Sequence, residues 1–302
     1  MNNTQDNHLI PTLANYVQHG TGTPVIMIHG LAASLHDWND LVPELSANGY
    51  ASYALDLLGH GDSPKLDSRA YQMDWIFEHF SSWMNSLNLT EPAILIGHSM
   101  GGFVALEYAR RLSAWTRGLI LVNPFYSRSQ LPFLLRNTYG RTNLSGLLVG
   151  QLPEWLFRFF VDVSSVATGH SIGSLHSLPE KIRAQTALDY KRTAPGVYHI
   201  PHAMSDMTEY LPEIDVPALV VWGDRDQTLD ISSFPRLVNG LPKARGEVLR
   251  AGHVPHQSHA KDFNQLVMGF LKELSSMRTA SGRSDCQSDL RSIPEENNGL
   301  SH

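Results

Sequence analysis

Short apolar runs alternate with helical patterns between residues 23 and 126, and this alternation restricts the chain to few folds. The runs PVIMIHG, YASYALD, AILIGHS and GLILVNP are nearly continuous in aliphatic residues, which is typical of strands buried on both faces. Between two of them, Met73, Ile76, Phe80 and Trp83 recur at helical spacing. The pattern predicts an α/β fold with a mostly parallel central sheet flanked by helices.

The alternation is interrupted between residues 127 and 212 and resumes after residue 216 with the strand-like runs PALVVWG and GEVLRAG. The interrupted stretch carries helical patterns alone. We therefore expect a core formed by residues 1–126 and 213–277, with 127–212 as a helical cap over the carboxyl edge of the sheet, where open α/β sheets bind ligands. The alternative is that these helices form a second layer of ordinary core.

The composition excludes several classes of partner. With a net charge of −6 and no cluster of basic residues, the chain of 302 residues is not expected to bind nucleic acid or an anionic membrane. Its start lacks a signal-peptide pattern, and no stretch is long enough for an integral membrane span. The single cysteine, Cys286, excludes an intrachain disulfide. We predict a cytoplasmic protein whose residues 278–302 form a disordered tail, because they carry too few apolar side chains.

The segment GHSMGG contains Ser99 between Gly97 and Gly101, a G-x-S-x-G pattern. A serine at a sharp strand-to-helix turn needs glycines at these positions, where a Cβ would clash with neighbouring backbone. The pattern alone has little specificity, but a buried strand precedes Ser99 and an apolar helical run follows it. This context predicts that Ser99 presents its hydroxyl at the sheet edge.

A serine hydroxyl becomes nucleophilic when a neutral imidazole accepts its proton and a carboxylate holds the other ring nitrogen. The two late strands end in VVWGDRDQ and RAGHVPHQ, at the sheet edge predicted for Ser99. His253 is favoured as the base because it follows Gly252 at a strand end. Asp224 and Asp226 both remain candidates for the acid on spacing alone.

His253, His256 and His259 follow one another at a spacing of three residues, which could suggest a metal site. No cysteine or carboxylate-rich set of ligands accompanies them. We therefore predict no metal and no organic cofactor, and we expect His256 and His259 to be solvated at the start of the last helix.

An oxyanion formed at this site would need backbone N–H donors. Met100 follows the serine directly, and the earlier strand-loop junction MIHGLAAS supplies a second donor at Leu31, with Gly30 permitting the backbone turn. His29 and His98 are interpreted as structural histidines bonded to loop backbone.

Together these motifs resemble the α/β-hydrolase superfamily, in its capped branch of esterases, lipases and carbon–carbon hydrolases. HGLAASLHDW resembles the oxyanion loop, DLLGHGDS the glycine-rich loop, GHSMGG the nucleophile elbow, and WGDRD with GHVPH the acid and base loops. The resemblance covers about residues 20 to 276. It implies Ser99 as nucleophile, His253 as base, Asp226 rather than Asp224 as acid, and Leu31 and Met100 as oxyanion donors.

The leading functional hypothesis is a serine hydrolase that cleaves a small carboxylic ester with an apolar acyl or aromatic portion through an acyl-enzyme. Gly30 and the aromatic residues Trp155 and Phe159 of the expected cap are the candidate substrate-binding residues. The alternatives are a carbon–carbon bond hydrolase or haloperoxidase-like perhydrolase on the same triad, and a non-catalytic receptor that uses the pocket for ligand capture. The sequence does not indicate an oligomeric state.

Overall fold

A seven-stranded sheet forms the centre of the computed structural model, which describes residues 10–132, 152–167 and 177–289. The strands lie in the order β1-β3-β2-β4-β5-β6-β7, and all neighbouring pairs are parallel except β1 with β3. The predicted mostly parallel α/β fold is confirmed. The strands are β1 Tyr16–His19, β2 Thr23–Ile28, β3 Tyr50–Leu55, β4 Ala93–His98, β5 Thr116–Val122, β6 Ala218–Gly223 and β7 Ala244–Leu249.

Helices cover both faces of this sheet. They are α1 Val42–Ala47, α2 Met73–Ser86, α3 Met100–Arg111, α4 Glu154–Ala167, α5 Glu180–Arg192, α6 Ile200–Ala203, α7 Ser233–Gly240, α8 Pro255–Ser258 and α9 Ala260–Asp289. The central strand β2 alternates between two buried clusters, with Ile26 and Ile28 beside α2 and α3 and Val25 and Met27 beside α9. Because side chains alternate across a strand, both faces of the sheet at β2 are buried and apolar.

The carboxyl ends of β4, β5, β6 and β7 lie side by side, because these strands are parallel and hydrogen-bonded in that order. Ser99 directly follows β4, Asn123 follows β5, and the loops after β6 and β7 carry Asp226 and His253. Residues far apart in sequence therefore meet at one edge of the sheet.

Between β5 and β6 the described residues contain helices and turns but no strand. The helices α4, α5 and α6 belong to this insertion, while residues 133–151 and 168–176 lie outside the described residues. The division of the chain into core and cap stays a prediction.

The last helix is longer than the sequence predicted. Disorder was expected from residue 278, whereas α9 continues to Asp289, in a stretch that contains no proline. Residues 290–302 lie outside the described residues, and their disorder stays a prediction. No helix in the described ranges is both long and apolar enough to cross a membrane.

A buried hydrogen bond joins the insertion to the core. The Ser34 hydroxyl of the loop after β2 donates to Asp189 Oδ2 of α5 over 2.8 Å, and Gln185 Nε2 donates to Oδ1 over 2.8 Å. Burial raises the pKa of Asp189 from its ordinary 3.8 to about 7, although both donors act in the opposite direction. The carboxyl is therefore a proton-binding group in the folded protein near neutral pH.

Replacing Asp189 by Asn is expected to stabilise the protein at high pH. Between pH 4 and 7 the folded state retains a proton that the unfolded Asp189 releases, so the free energy of unfolding falls as pH rises through this window. The full shift corresponds to about 4 kcal/mol, and we expect Asp189→Asn to gain about 2 kcal/mol at pH 8. Urea unfolding at pH 5 and pH 8 measures this, and an equal gain at both values would contradict it.

Candidate active site

Ser99 occupies a sharp turn between β4 and α3, which we call the elbow. Its backbone has φ 50° and ψ −115°, in a region that non-glycine residues rarely adopt. Its N–H donates to the carbonyl of Val122 over 3.0 Å, and its carbonyl accepts the N–H of Phe125 over 2.9 Å. These bonds to the end of β5 hold the strained turn in place.

Two glycines allow the elbow to form. A Cβ on Gly101 would lie 2.2 Å from the carbonyl oxygen of Ile28, and one on Gly97 would lie 2.4 Å from the carbonyl oxygen of Gly101. Real Cβ atoms do not approach backbone so closely. The predicted steric reason for the G-x-S-x-G pattern therefore holds in the structure.

The structure brings Ser99, His253 and Asp226 together. His253 Nε2 lies 3.1 Å from Ser99 Oγ, and its Nδ1 lies 2.8 Å from Asp226 Oδ2. The neutral imidazole that donates from Nδ1 to the carboxylate has a lone pair on Nε2, facing the serine hydroxyl. This arrangement can move a proton from Ser99 to His253.

Asp226 is fully enclosed by donors. Its side chain is 0% exposed, and its Oδ1 accepts the backbone N–H groups of Thr228 over 2.7 Å and Leu229 over 3.1 Å. Burial acts to raise the pKa of Asp226, but His253, Asn123 and Leu229 together hold it below its ordinary value. Asp224, the other candidate, is exposed. The structure therefore places Asp226, and not Asp224, against the imidazole.

Asn123, which is not among the predicted site residues, also contacts Asp226. Its Nδ2 donates to Asp226 Oδ2 over 2.7 Å, and its Oδ1 accepts the N–H of Gly223 over 3.3 Å. The amide thereby fixes the carboxylate relative to the end of β6. The sequence does contain a feature that indicates Asn123, because it is the polar residue near the end of the strand-like run GLILVNP.

Leu31 and Met100 line the same cleft as Ser99. Met100 is the first residue of α3, so its N–H has no acceptor inside that helix. Gly30 packs closely against the elbow, because a Cβ added to it would lie 2.8 Å from His98 Nδ1 and 3.3 Å from Ser99 Cβ. Gly30 thus permits the close approach of the two loops but does not itself line the cleft.

The cleft at Ser99 has a volume of about 350 Å³ and a largely apolar wall. The insertion contributes Tyr190, Tyr198, Ile200 and Met204 to this wall, and the core contributes Leu31, Phe125 and Leu229.

Two predicted substrate-binding residues lie elsewhere. Trp155 is 69% exposed and Phe159 is 56% exposed, and neither lines the described part of the cleft. The helix α4 buries its other face, with Phe157 and Val161 packed towards α5, and a role of Trp155 and Phe159 in substrate binding stays a prediction. A helix with apolar residues on several sides does not reveal in its sequence which side faces the ligand.

The three histidines of the base loop occupy separate environments. His253 contacts Ser99 and Asp226, and His259 Nδ1 lies 3.0 Å from Ser258 Oγ. His256 is buried against Trp38 and Phe263, which corrects the expectation that it is solvated. These three side chains do not converge on one metal site.

The comparison with protein families identifies the chain. The family described as Serine aminopeptidase, S33 matches residues 22–262, so the chain belongs to this family of the α/β-hydrolase superfamily. It is a hydrolase.

Two curated relatives show the range of activities among similar proteins. The chain is 26% identical over 256 residues to a pimeloyl-(acyl-carrier protein) methyl ester esterase of Aeromonas hydrophila, covering 83% of this chain and 96% of the relative. It is 28% identical over 271 residues to a putative non-heme chloroperoxidase of Synechocystis sp., covering 85% and 94%. Among solved structures, a thermophilic esterase from Thermogutta terrifontis has a TM-score of 0.71 at 22% identity, covering 86% and 93%. This last likeness shows the fold.

Substituting Gly97 by Ala is expected to distort the elbow, because the added Cβ would meet backbone rather than a movable side chain. We expect a loss of about 2 to 3 kcal/mol in the free energy of unfolding. Gly269→Ala in α9 is the matched control, since nothing lies within 4 Å of its Cβ position, and it is expected to gain about 0.5 to 1 kcal/mol. Urea unfolding of both variants measures the difference. Equal effects would contradict the steric account.

Proposed function

We propose that this protein is a serine hydrolase that cleaves small carboxylic esters whose acyl or aromatic portion is apolar. The observation that carries the proposal is the hydrogen-bonded chain from Ser99 Oγ through the His253 ring to Asp226, at 3.1 and 2.8 Å, opening into an apolar cleft. Such a chain is the requirement for nucleophilic attack by a serine.

The reaction proceeds by acyl transfer in two steps. Ser99 Oγ attacks the ester carbonyl as His253 Nε2 takes the hydroxyl proton, and the alcohol leaves with that proton. Water, deprotonated by His253, then attacks the acyl-enzyme and releases the acid. Asp226 keeps the imidazole in the required tautomer and stabilises its charged form, and the Leu31 and Met100 N–H groups bind the oxyanion, each contributing about 3 kcal/mol.

The character of the cleft supports an uncharged acyl portion. Its described lining residues include no lysine or arginine that could pair with a substrate carboxylate. Burying an unpaired charge in such a wall is costly. Because α5 and α6 supply part of the wall, we infer that the insertion at 127–212 acts as a cap that selects the substrate.

A perhydrolase activity is the second candidate, favoured by the relative named as a putative non-heme chloroperoxidase. Hydrogen peroxide in place of water would attack the same acyl-enzyme and release a peracid. Adding peroxide to the ester assay and measuring peracid separates this outcome from simple hydrolysis. A carbon–carbon bond hydrolase would use the same residues.

The first test compares wild type with Ser99→Ala on p-nitrophenyl esters of increasing acyl length. We expect Ser99→Ala to lose about 10⁴-fold or more in kcat/KM, because the nucleophile is removed. Ser276→Ala, on the exposed surface of α9, is expected to retain full activity. A fluorophosphonate probe should label wild type but not Ser99→Ala. Equal turnover of the two, or an unlabelled wild type, would favour a receptor that only captures ligands.

The second test is the pH dependence of ester hydrolysis. The rate is expected to fall about tenfold per pH unit on the acid side, because a protonated His253 cannot accept the serine proton. The depressed pKa of Asp226 keeps its carboxylate ionised throughout this range, so titration of the acid does not contribute to the fall. A rate that stays flat from pH 5 to pH 8 would argue against an imidazole base.

A further inference from the structure

Three loops of the active site meet at a second buried group of side chains, formed by Asp37, His98 and His256, which we call the Asp37 cluster. Asp37 lies in the 3₁₀ turn Leu35–Trp38 that follows the Leu31 loop. His98 ends β4 immediately before Ser99, and His256 lies in α8 after His253. The cluster is next to the proposed triad but shares no residue with it.

The polar atoms of this cluster converge. Asp37 Oδ2 lies 3.5 Å from His98 Nδ1 and 3.8 Å from His256 Nε2, and all three atoms lie within 4.8 Å of one another. The side chains are 9%, 5% and 1% exposed respectively. None of the three atoms has a hydrogen-bond partner among the described residues, which is unusual for buried polar groups.

The hydrogen bond on the far side of His98 determines what its ring presents to Asp37. His98 Nε2 lies 3.0 Å from the carbonyl oxygen of His253, and a carbonyl only accepts, so Nε2 carries the proton of the neutral ring. The Nδ1 lone pair therefore faces the carboxylate oxygen of Asp37. Two acceptors at this distance repel each other unless a positive charge lies between them.

The surroundings of His98 and Asp37 match those of metal ligands. Histidines that bind a metal donate their other ring N–H to a carbonyl or carboxylate, as His98 does to His253. A ligating carboxylate is itself hydrogen-bonded, and Asp37 Oδ1 accepts from Gln257 Nε2 over 3.0 Å. The Nδ1 of His256 has no partner among the described residues either, so its ring can turn towards the other two without breaking a bond.

The distances are close to those of a tetrahedral site. Zinc bonds to histidine nitrogen and carboxylate oxygen are about 2.0 to 2.2 Å long, which places two ligand atoms about 3.3 Å apart. The separations of 3.5 and 3.8 Å from Asp37 exceed this by a few tenths of an ångström, and the two histidine nitrogens lie within 4.8 Å of each other, so a turn of the His256 ring would close the site. A small cleft of about 80 Å³ opens beside Asp37 and is lined also by Asp40, Asp189 and Lys181, so the cluster has an opening through which a cation can enter.

We propose that Asp37, His98 and His256 bind one divalent transition-metal ion, with zinc as the ion that suits this donor set. The ion fixes the oxyanion loop, the elbow and the base loop to one another at a single buried point. This ligand set differs from the His253, His256 and His259 spacing considered in the sequence. The proposal concerns metal binding and loop stability, so it does not rest on the proposed ester hydrolysis.

The test is a direct measurement of zinc binding by the full chain. Wild type is stripped with a chelator, incubated with zinc chloride, dialysed against metal-free buffer and analysed by mass spectrometry for zinc. We expect about one zinc per chain, and a rise of about 5 °C or more in the midpoint of thermal unfolding over the stripped protein. Cobalt in place of zinc is expected to give the visible absorption bands of a tetrahedral nitrogen–oxygen site.

Variants assign the site. Asp37→Asn and His256→Gln are each expected to bind less than a fifth of the wild-type zinc and to lose the thermal shift. His259→Gln, whose partner is Ser258, is the matched control and should retain both. Ser99→Ala should also retain the metal, so that loss of esterase activity and loss of the metal site are separate results. Circular dichroism shows whether each variant is folded.

The proposal is overturned if wild type holds less than a tenth of an equivalent of zinc. It is equally overturned if Asp37→Asn, His256→Gln and wild type all bind the same amount, because the metal then lies elsewhere. If Asp37→Asn and His256→Gln are both unfolded, the cobalt spectrum and thermal shift of wild type decide the matter alone, and absence of both overturns the proposal.

Discussion

The strained backbone of Ser99 is the constraint on which the rest of the site depends. With φ at 50°, Ser99 adopts a conformation that non-glycine residues rarely adopt, at the turn between β4 and α3. This conformation persists because the Val122 carbonyl and the Phe125 N–H hold the residue from the neighbouring strand, and because Gly97 and Gly101 leave room for backbone where side chains would collide. The Ser99 hydroxyl is thus positioned by the sheet rather than by a flexible loop.

The order of the parallel strands then brings His253 and Asp226 close to the Ser99 hydroxyl. Ser99 and His253 are 154 positions apart in sequence, yet their reactive atoms lie 3.1 Å apart, because β4, β5, β6 and β7 are adjacent and end at the same edge. Each of these ends contributes one polar group, including Asn123, which ties the acid to the end of β5. Loss of any one strand pairing would move a reacting group away from the others, so the stability of the sheet and the geometry of the site are one property.

The sequence predicts what depends on local pattern and fails where several elements must be combined. Continuous apolar runs indicate the buried strands, and flanking glycines indicate the elbow. The sheet and the positions of Ser99 and His253 at its edge can therefore be predicted from the sequence. Asp224 and Asp226 differ by two positions in one loop, so spacing alone does not distinguish them, and the choice of Asp226 came from the family resemblance. Trp155 and Phe159 do not line the described part of the cleft, because the orientation of α4 depends on how that helix packs against α5. The Asp37 cluster could not be predicted from the sequence, because its members come from three segments with no common motif.

The contact between insertion and core places one titrating carboxyl group beside the wall of the cleft. The helix α5 supplies Tyr190 to the wall of the cleft, and the preceding residue, Asp189, is the buried partner of Ser34 in the loop after β2. A charge on Asp189 is costly in this buried position, and its field also reaches Tyr190, where burial and the nearby acidic groups raise the pKa of the phenol. The phenol therefore remains a neutral donor while the neighbouring carboxyl titrates. The Tyr190 hydroxyl thus stays neutral in the cleft wall across neutral pH. Over the same range the carboxyl group of Asp189, which joins α5 to the core through Ser34, changes its charge.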